Sequence, residues 1–185
     1  MELYTDTYYI RRVQEGDTAS FACILDKYSR SVYSLIYRMV NNKEDAEELT
    51  QDVFLKVFRS LSGFKGDSSF STWLYRIAYN TVVSAMRKKK QEFLAIEENL
   101  LNNTTEEDLI EFYGDSNQEE RYCQLEKALD LLPSEERGIV LLFYMENKTI
   151  EEIAGITGLS LTNVKTKLHR IRKKLYVILT QMKEE

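Results

Sequence analysis

Apolar residues recur along this chain at steps of three and four, the spacing that gathers them on one face of a helix. Phe21, Ile24, Leu25 and Tyr28 form the first such face, and Asp17 is placed to cap a helix running to about Tyr28. Val32, Leu35, Ile36 and Met39 form a second, on a helix from about Ser31 to Val40. In "NNKEDAEELTQDVFLKVFRSL" the stripe is Ala46, Leu49, Val53, Val57 and Leu61. Acids fill its first turns and Lys56 and Arg59 lie near its end, the order the helix dipole favours. "SGFKGDSS" breaks the period, and its Gly, Ser and Asp predict a loop. A fourth helix is predicted from Phe70 to "RKKK" (Arg87 to Lys90), with Phe70, Leu74, Ile77 and Thr81 facing inward.

The period fades over "QEFLAIEENLLNNTTEEDLIEFYGDSNQEE", which predicts a linker with a short helical turn at Glu106 to Tyr113. It returns over about Glu119 to Leu132. Pro133 then opens a helix carrying "IVLLFYM", since proline has no N–H to lose in a first turn. Thr149 and Glu152 have the spacing of a capping box, which starts a helix at Ile150 with Ile153 and Ala154 inward. Gly158 supplies a turn, Ser160 caps the next helix, and Val164, Leu168, Ile171 and Leu175 form its buried stripe. The fold class is therefore all-α. Two small helical domains, residues 1–90 and 119–185, are joined by a linker, residues 91–118.

Charge sharpens this division. Residues 91–120 hold ten acidic residues and no basic one, whereas both flanking pieces are slightly basic in a chain of net charge −5. One Pro and seven Gly in 185 residues agree with a helical chain. No apolar run approaches the roughly 20 residues of a membrane span. "MELYTDTYYIRR" has no signal-peptide order, so a cytoplasmic location is expected. Cys23 and Cys123 fit neither a metal-binding nor a redox spacing and are expected to be ordinary half-buried thiols. The single histidine, His169, has no visible nucleophile or metal cluster beside it. No catalytic residue, metal or cofactor is expected, and the chain is not read as an enzyme.

Two stretches carry chemistry. Ala154, Gly158 and Val164 have the spacing of a DNA-binding helix-turn-helix. Opposite the buried stripe of its second helix stand Thr162, Thr166, His169, Arg170 and Lys173, flanked by Lys165, Lys167, Arg172 and Lys174. Hydroxyls and imidazole can bond base edges, arginine can fork onto guanine, and lysines suit phosphates. In "FSTWLYRIAYNTVVSAMRKKK", Trp73, Arg76, Asn80, Ser84 and Arg87 fall on one stripe. Cations there would hold a backbone while a flat ring stacks on an exposed base. An aromatic stripe on a helix also suits a plain core, and a cationic helix end also suits the helix dipole.

The order of these parts, a Trp-bearing fourth helix, an acidic linker and a helix-turn-helix, resembles the extracytoplasmic-function group of RNA polymerase sigma factors, within the sigma-70 family. The resemblance runs from "FACILDKYSRSVYSLIYRMVNNKEDAEELTQDVFLKVFRSLSGFKGDSSFSTWLYRIAYN" to "ALDLLPSEERGIVLLFYMENKTIEEIAGITGLSLTNVKTKLHRIRKKL". It implies that residues 1–90 bind the −10 promoter element and residues 119–185 the −35 element. It further implies that the chain joins core polymerase and helps to open the duplex.

Residue by residue, the resemblance places Glu48, Gln51, Asp52 and Leu55 where relatives dock the clamp helices of the β′ subunit. It places Phe64, Lys65 and Ser68 in a loop that captures a flipped base of the −10 element, and Asn80 and Ser84 near the upstream duplex edge. Relatives often carry an amide at the second of these, and the shorter Ser84 leaves base choice there open. Arg76 and Arg87 to Lys90 would hold backbone. Lys165, Thr166, His169 and Arg170 would enter the major groove at −35, and Arg137 would reach a phosphate. "LPSEERGIVLLFYM" would help to form the groove for the β flap, and the linker would pass near the RNA exit. An anti-sigma factor, often membrane-anchored in this group, is an implied partner. The alternative is a helix-turn-helix regulator with an N-terminal bundle that senses a ligand or dimerises.

Overall fold

The computed structural model describes residues 5–89, 98–109 and 118–184, and all regular structure among them is helical. The helices are α1 (Asp6–Gln14), α2 (Phe21–Val40), α3 (Lys43–Ser60), α4 (Phe70–Lys88), α5 (Glu98–Asn103), α6 (Gln118–Asp130), α7 (Ser134–Tyr144), α8 (Ile150–Thr157) and α9 (Leu161–Glu184).

The two helices predicted before Asn41 are one. No Gly or Pro interrupts "DKYSRSVYS", so α2 runs unbroken from Phe21 to Val40. Asp17 does not cap it. Its carboxylate takes hydrogen bonds from Arg12 Nη2 (2.6 Å) and Ser20 Oγ (2.8 Å), and a single 3-10 turn, Thr18–Ser20, comes between. Asn41, at φ 50°, ends α2, and Asn42 Oδ1 accepts from the Asp45 amide (2.9 Å) to start α3. The predicted stripes of α2 and α3 are buried, apart from a half-buried Leu25, Tyr28 and Leu49. They close a bundle with Leu74, Ala78 and Val82 of α4.

In the C-terminal half, Pro133 stands one residue before α7, where its carbonyl accepts from the Arg137 amide (2.9 Å). The Thr149–Glu152 capping box is formed in both directions, and Gly158 turns the chain at φ 76°. Ile153 is buried and Ala154 half-buried, while Val164, Leu168, Ile171 and Leu175 are all buried. The last helix outruns its prediction: α9 continues past Leu175 to Glu184, with Ile178 and Leu179 also in the core. In the linker, α5 has no counterpart among the predicted elements. Residues 106–109 form the predicted turn, whose remainder to Tyr113 lies outside the described residues.

The halves pack on one another, with α7 against α2 and α4 and with α8 against α4, and one apolar cluster spans both. This explains why Tyr75, Ala78 and Tyr79, off the predicted stripe of α4, are buried. Tyr75 donates to Glu146, and Tyr79 donates to the Glu135 carbonyl (3.3 Å). Burial, before either partner, pushes both phenols above their usual range, so both stay neutral donors. Thr72 Oγ1 donates to Glu152 (3.3 Å) and Lys148 Nζ to Ser71 Oγ (2.9 Å).

Arg137 is corrected by this packing. It is 4% exposed, and its guanidinium donates to the carbonyls of Arg38, Met39, Asp130 and Leu132, so it does not face a phosphate. Cys23 is corrected too: it is exposed rather than half-buried, and the side chain of Cys123 lies outside the described residues.

Candidate functional site

The first site lies between the end of α3 and the outer face of α4. Ser69 starts α4 by accepting from the Thr72 amide (3.2 Å), and this register turns Trp73, Arg76, Asn80 and Ser84 to one side. They border an open groove of about 600 Å³. Arg76, Asn80 and Ser84 are exposed and Trp73 half-buried. The opposite wall is Lys56, Arg59 and Ser60. In the sequence alone, Lys56 and Arg59 read only as a cationic helix end. Their three-residue spacing on the last turns of α3 is the signal that could have found them. Lys56 Nζ also donates to Thr81 Oγ1 (3.0 Å), which ties the two walls together.

Arg87 is drawn away from this groove. Its Nε donates to Glu135 Oε1 (2.9 Å), so its charge is engaged across the interface with α7. Lys89 is paired with Asp45 (2.5 Å), and Lys90 lies outside the described residues.

The loop between α3 and α4 is held from α1. Gln14 Nε2 donates to the carbonyls of Leu61 (2.9 Å) and Phe64 (3.1 Å). Phe64 does not stand free. Its ring lies 5.0 Å from that of Trp73 and 5.7 Å from that of Phe70, so it packs within an aromatic cluster with both. Lys65 and Ser68 are exposed at the loop's outer side.

The second site is α9. Ser160 Oγ accepts from the Asn163 amide (3.2 Å) and fixes the start of the helix. Thr162, Lys165, Thr166 and Arg170 are exposed, and His169 and Lys173 are half-exposed on the same outer face. His169 Nδ1 stands 3.0 Å from Glu106 Oε1 of the linker. Two flanking cations turn inward instead. Arg172 Nε donates to Tyr144 Oη (2.6 Å) with its guanidinium over the Phe143 and Tyr144 rings, and Lys174 Nζ lies 2.7 and 2.8 Å from the two oxygens of Glu136.

A third surface lies on the outside of α3. Glu48, Gln51, Asp52 and Leu55 line it, and Leu55 is 51% exposed. Gln51 and Leu55 border an apolar depression of about 410 Å³ with Phe21, Leu25, Phe54 and Phe58. Phe58, not singled out from the sequence, is 39% exposed, and its ring meets that of Phe21 edge-on at 5.1 Å. Among the described residues, no group of three or more His, Cys, Asp or Glu is arranged to hold a metal ion. No helix among them is long and apolar enough to cross a membrane.

Comparison with known proteins matches sigma-70 region 2 over residues 24–92 and sigma-70 region 4 over residues 124–175. The chain is 32% identical to the ECF RNA polymerase sigma factor SigW of Bacillus subtilis, over 90% of this chain and 92% of that one. It is also 32% identical to the ECF RNA polymerase sigma-E factor of Escherichia coli K12, over 93% of both. Its fold is similar to that of CnrH, solved with the cytosolic domain of CnrY (TM-score 0.67, 18% identity, 95% of this chain and 97% of that one). It is likewise similar to that of the sigma factor RpoE of Bartonella quintana, solved with the anti-sigma factor NepR (TM-score 0.62, 22% identity, 86% of this chain and 96% of that one).

Proposed function

This chain belongs to the extracytoplasmic-function group of RNA polymerase sigma factors, a family that acts in transcription initiation, and we propose how its surfaces divide that work. The outer face of α3, with Glu48, Gln51, Asp52 and Leu55, docks on the β′ clamp helices, and the "LPSEERGIVLLFYM" segment helps to form the seat of the β flap. The groove around Trp73 and Asn80 takes the −10 element, with Lys65 and Ser68 at the loop that receives an extruded base. Extrusion costs a few kcal/mol, which stacking on an aromatic ring offsets in part. Lys165, Thr166, His169 and Arg170 of α9 read the −35 element, with Thr162 and Lys173 at its ends. The polymerase performs the chemistry, and this chain supplies promoter choice. It works in the cytoplasm, where polymerase and chromosome are.

One observation carries this reading. An open groove combining cations, an amide and a tryptophan stands in the same chain as a helix-turn-helix whose second helix turns Lys165, Thr166 and Arg170 outward. A regulator with a sensing bundle needs only the second of these.

The reading also requires the halves to part. Elements about 25 base pairs apart are roughly 85 Å apart at 3.4 Å per pair. A compact chain of this length has a radius of gyration of only about 16 Å. Linker residues 91–118, fully extended, span up to about 90 Å, which is enough. We propose that an anti-sigma factor, the kind of partner with which RpoE of Bartonella quintana is solved, holds the chain back.

Run-off transcription with purified core polymerase on genomic fragments tests the proposal. Discrete transcripts are expected only when the chain is added. Leu55→Asp should abolish them while costing only about 1–2 kcal/mol of stability, because Leu55 is half exposed. Absence of any complex with core polymerase would sink the reading.

A further inference from the structure

The contact between His169 and Glu106 joins the reading helix to the one strongly acidic part of the chain. The linker is built to make it. Thr104 ends α5 by donating its hydroxyl to the Leu100 carbonyl (2.9 Å). Thr105 then starts a new turn reciprocally: its amide donates to Asp108 Oδ2 (2.7 Å), and the Asp108 amide donates to its hydroxyl (3.1 Å). Those bonds from Thr105, the backbone one foremost, hold the Asp108 carboxyl below the usual range. This capping box fixes Glu106 in the first turn. On either side of it, Leu101 and Leu109 are each only 5% exposed, and α5 lies against α9. Neither leucine belongs to the main apolar cluster, so their burial serves the docking of this segment and not the bundle core.

We propose that residues 98–109 are a built-in mask of the −35 reading helix, an acidic segment that duplex DNA must displace. The proposal rests on the reading that α9 enters the major groove. The groove is about 12 Å wide and leaves no room for a second segment on the face that enters it. DNA also carries about one negative charge per 1.7 Å of axis, so Glu106 and Glu107, both exposed, repel its approach. The same carboxylate that satisfies His169 in the closed chain thus lowers the affinity of the free protein for DNA. Once the linker is drawn elsewhere, as on docking to polymerase, the helix is released.

Full-length protein tests this with fluorescence anisotropy on a short duplex of mixed sequence, and with NMR of the imidazole of His169. His169 is the only histidine, so its signals need no assignment. Glu106→Gln should shift those signals and tighten DNA binding about two- to fivefold, the range of one exposed charge removed beside a polyanion. The double variant Leu101→Ser, Leu109→Ser, which undocks the segment, should tighten it by about tenfold. Glu15→Gln on the end of α1 removes the same charge far from the linker and should change neither readout. If Glu106→Gln leaves the imidazole signals unmoved, or tightens binding no more than Glu15→Gln does, the mask is wrong. Should the double variant fail to fold, Glu106→Gln decides alone. The DNA reading has its own control: Lys165→Glu should weaken duplex binding. If Lys165→Glu binds as the parent does, α9 is not the reading helix and the mask falls with it. If Lys165→Glu weakens binding while both linker variants match the parent, only the mask falls.

Discussion

Gly138 of α7 and Tyr79 of α4 touch across the interface between the two halves. A Cβ on Gly138 would lie 2.8 Å from Tyr79 Cε2 and 2.7 Å from the Met39 terminal methyl. Only a residue without a side chain lets α7 close onto α2 and α4 here. Gly138→Leu should therefore hold the halves apart while each keeps its own helices. Small-angle scattering should give the parent a radius of gyration near about 16 Å and the variant one several ångströms larger, with unchanged helical circular dichroism. Equal radii would mean that the contact does not control closure. Gly138→Ala should be milder, since the Met39 methyl can move and alanine favours the helix by about 1 kcal/mol.

Arg137 holds the same interface from within. Its Nη1 donates to the carbonyls of Arg38 and Met39 (both 3.3 Å) at the end of α2, and its Nη2 to that of Leu132 (3.3 Å). Burial lowers its pKa and Asp130, 3.2 Å away, partly restores it. Arg137→Ala leaves several buried carbonyls without their donor and Asp130 with Asn41 as its remaining partner, so urea unfolding should show a loss of roughly 1–3 kcal/mol. Arg137→Lys should recover less than half, because an ammonium cannot fork onto two chain ends.

These two residues mark where the sequence stops being readable. Val164, Leu168 and Ile171 are legible because their burial follows from one helix's own period. Tyr75 and Tyr79 are not, because what buries them lies across the linker, at Glu135 and Glu146. Arg137 resembles a phosphate ligand for the same reason: the carbonyls of α2 that it serves are about a hundred residues away in sequence. Phe64 reads as part of a base-capturing loop because its packing on Trp73 depends on how that loop folds back. The outer faces of α3, α4 and α9 are legible because exposed polar stripes need no partner to define them.

The interface also carries a titratable group. Burial raises the pKa of Glu152, but the Thr149 amide, Lys148 and Thr72 outweigh it, and the net shift is downward from 4.5. A carboxylate with a depressed folded pKa stabilises the fold above its unfolded value and loses that contribution as pH falls through the folded one. The α4–α8 contact should thus weaken only below about pH 4.5. Thermal unfolding followed from neutral pH into that range should show Glu152→Gln less pH-sensitive than the parent. Parallel curves would show that Glu152 does not carry this dependence.

Lys56 and Arg59 face Trp73, Arg76 and Asn80 across one groove, although they come from a different helix. A polyanion lying in that groove would meet cations on both walls, so both ends of the α3–α4 pair should share in holding it. Removing one cation that neutralises a phosphate lowers the slope of log affinity against log salt by about 0.7 on single strands and about 0.9 on duplex. With polymerase holoenzyme on a promoter fragment, Lys56→Ala and Arg59→Ala should each weaken binding and flatten that slope by about one such step. Asn80→Ala should weaken binding without changing the slope, because an amide releases no counterion. Lys56 has a second task at Thr81, 3.0 Å away, so its variant should also lower the unfolding midpoint slightly. Arg59→Ala separates the two effects: a loss of stability without a change of slope there would mean that the α3 wall does not touch DNA.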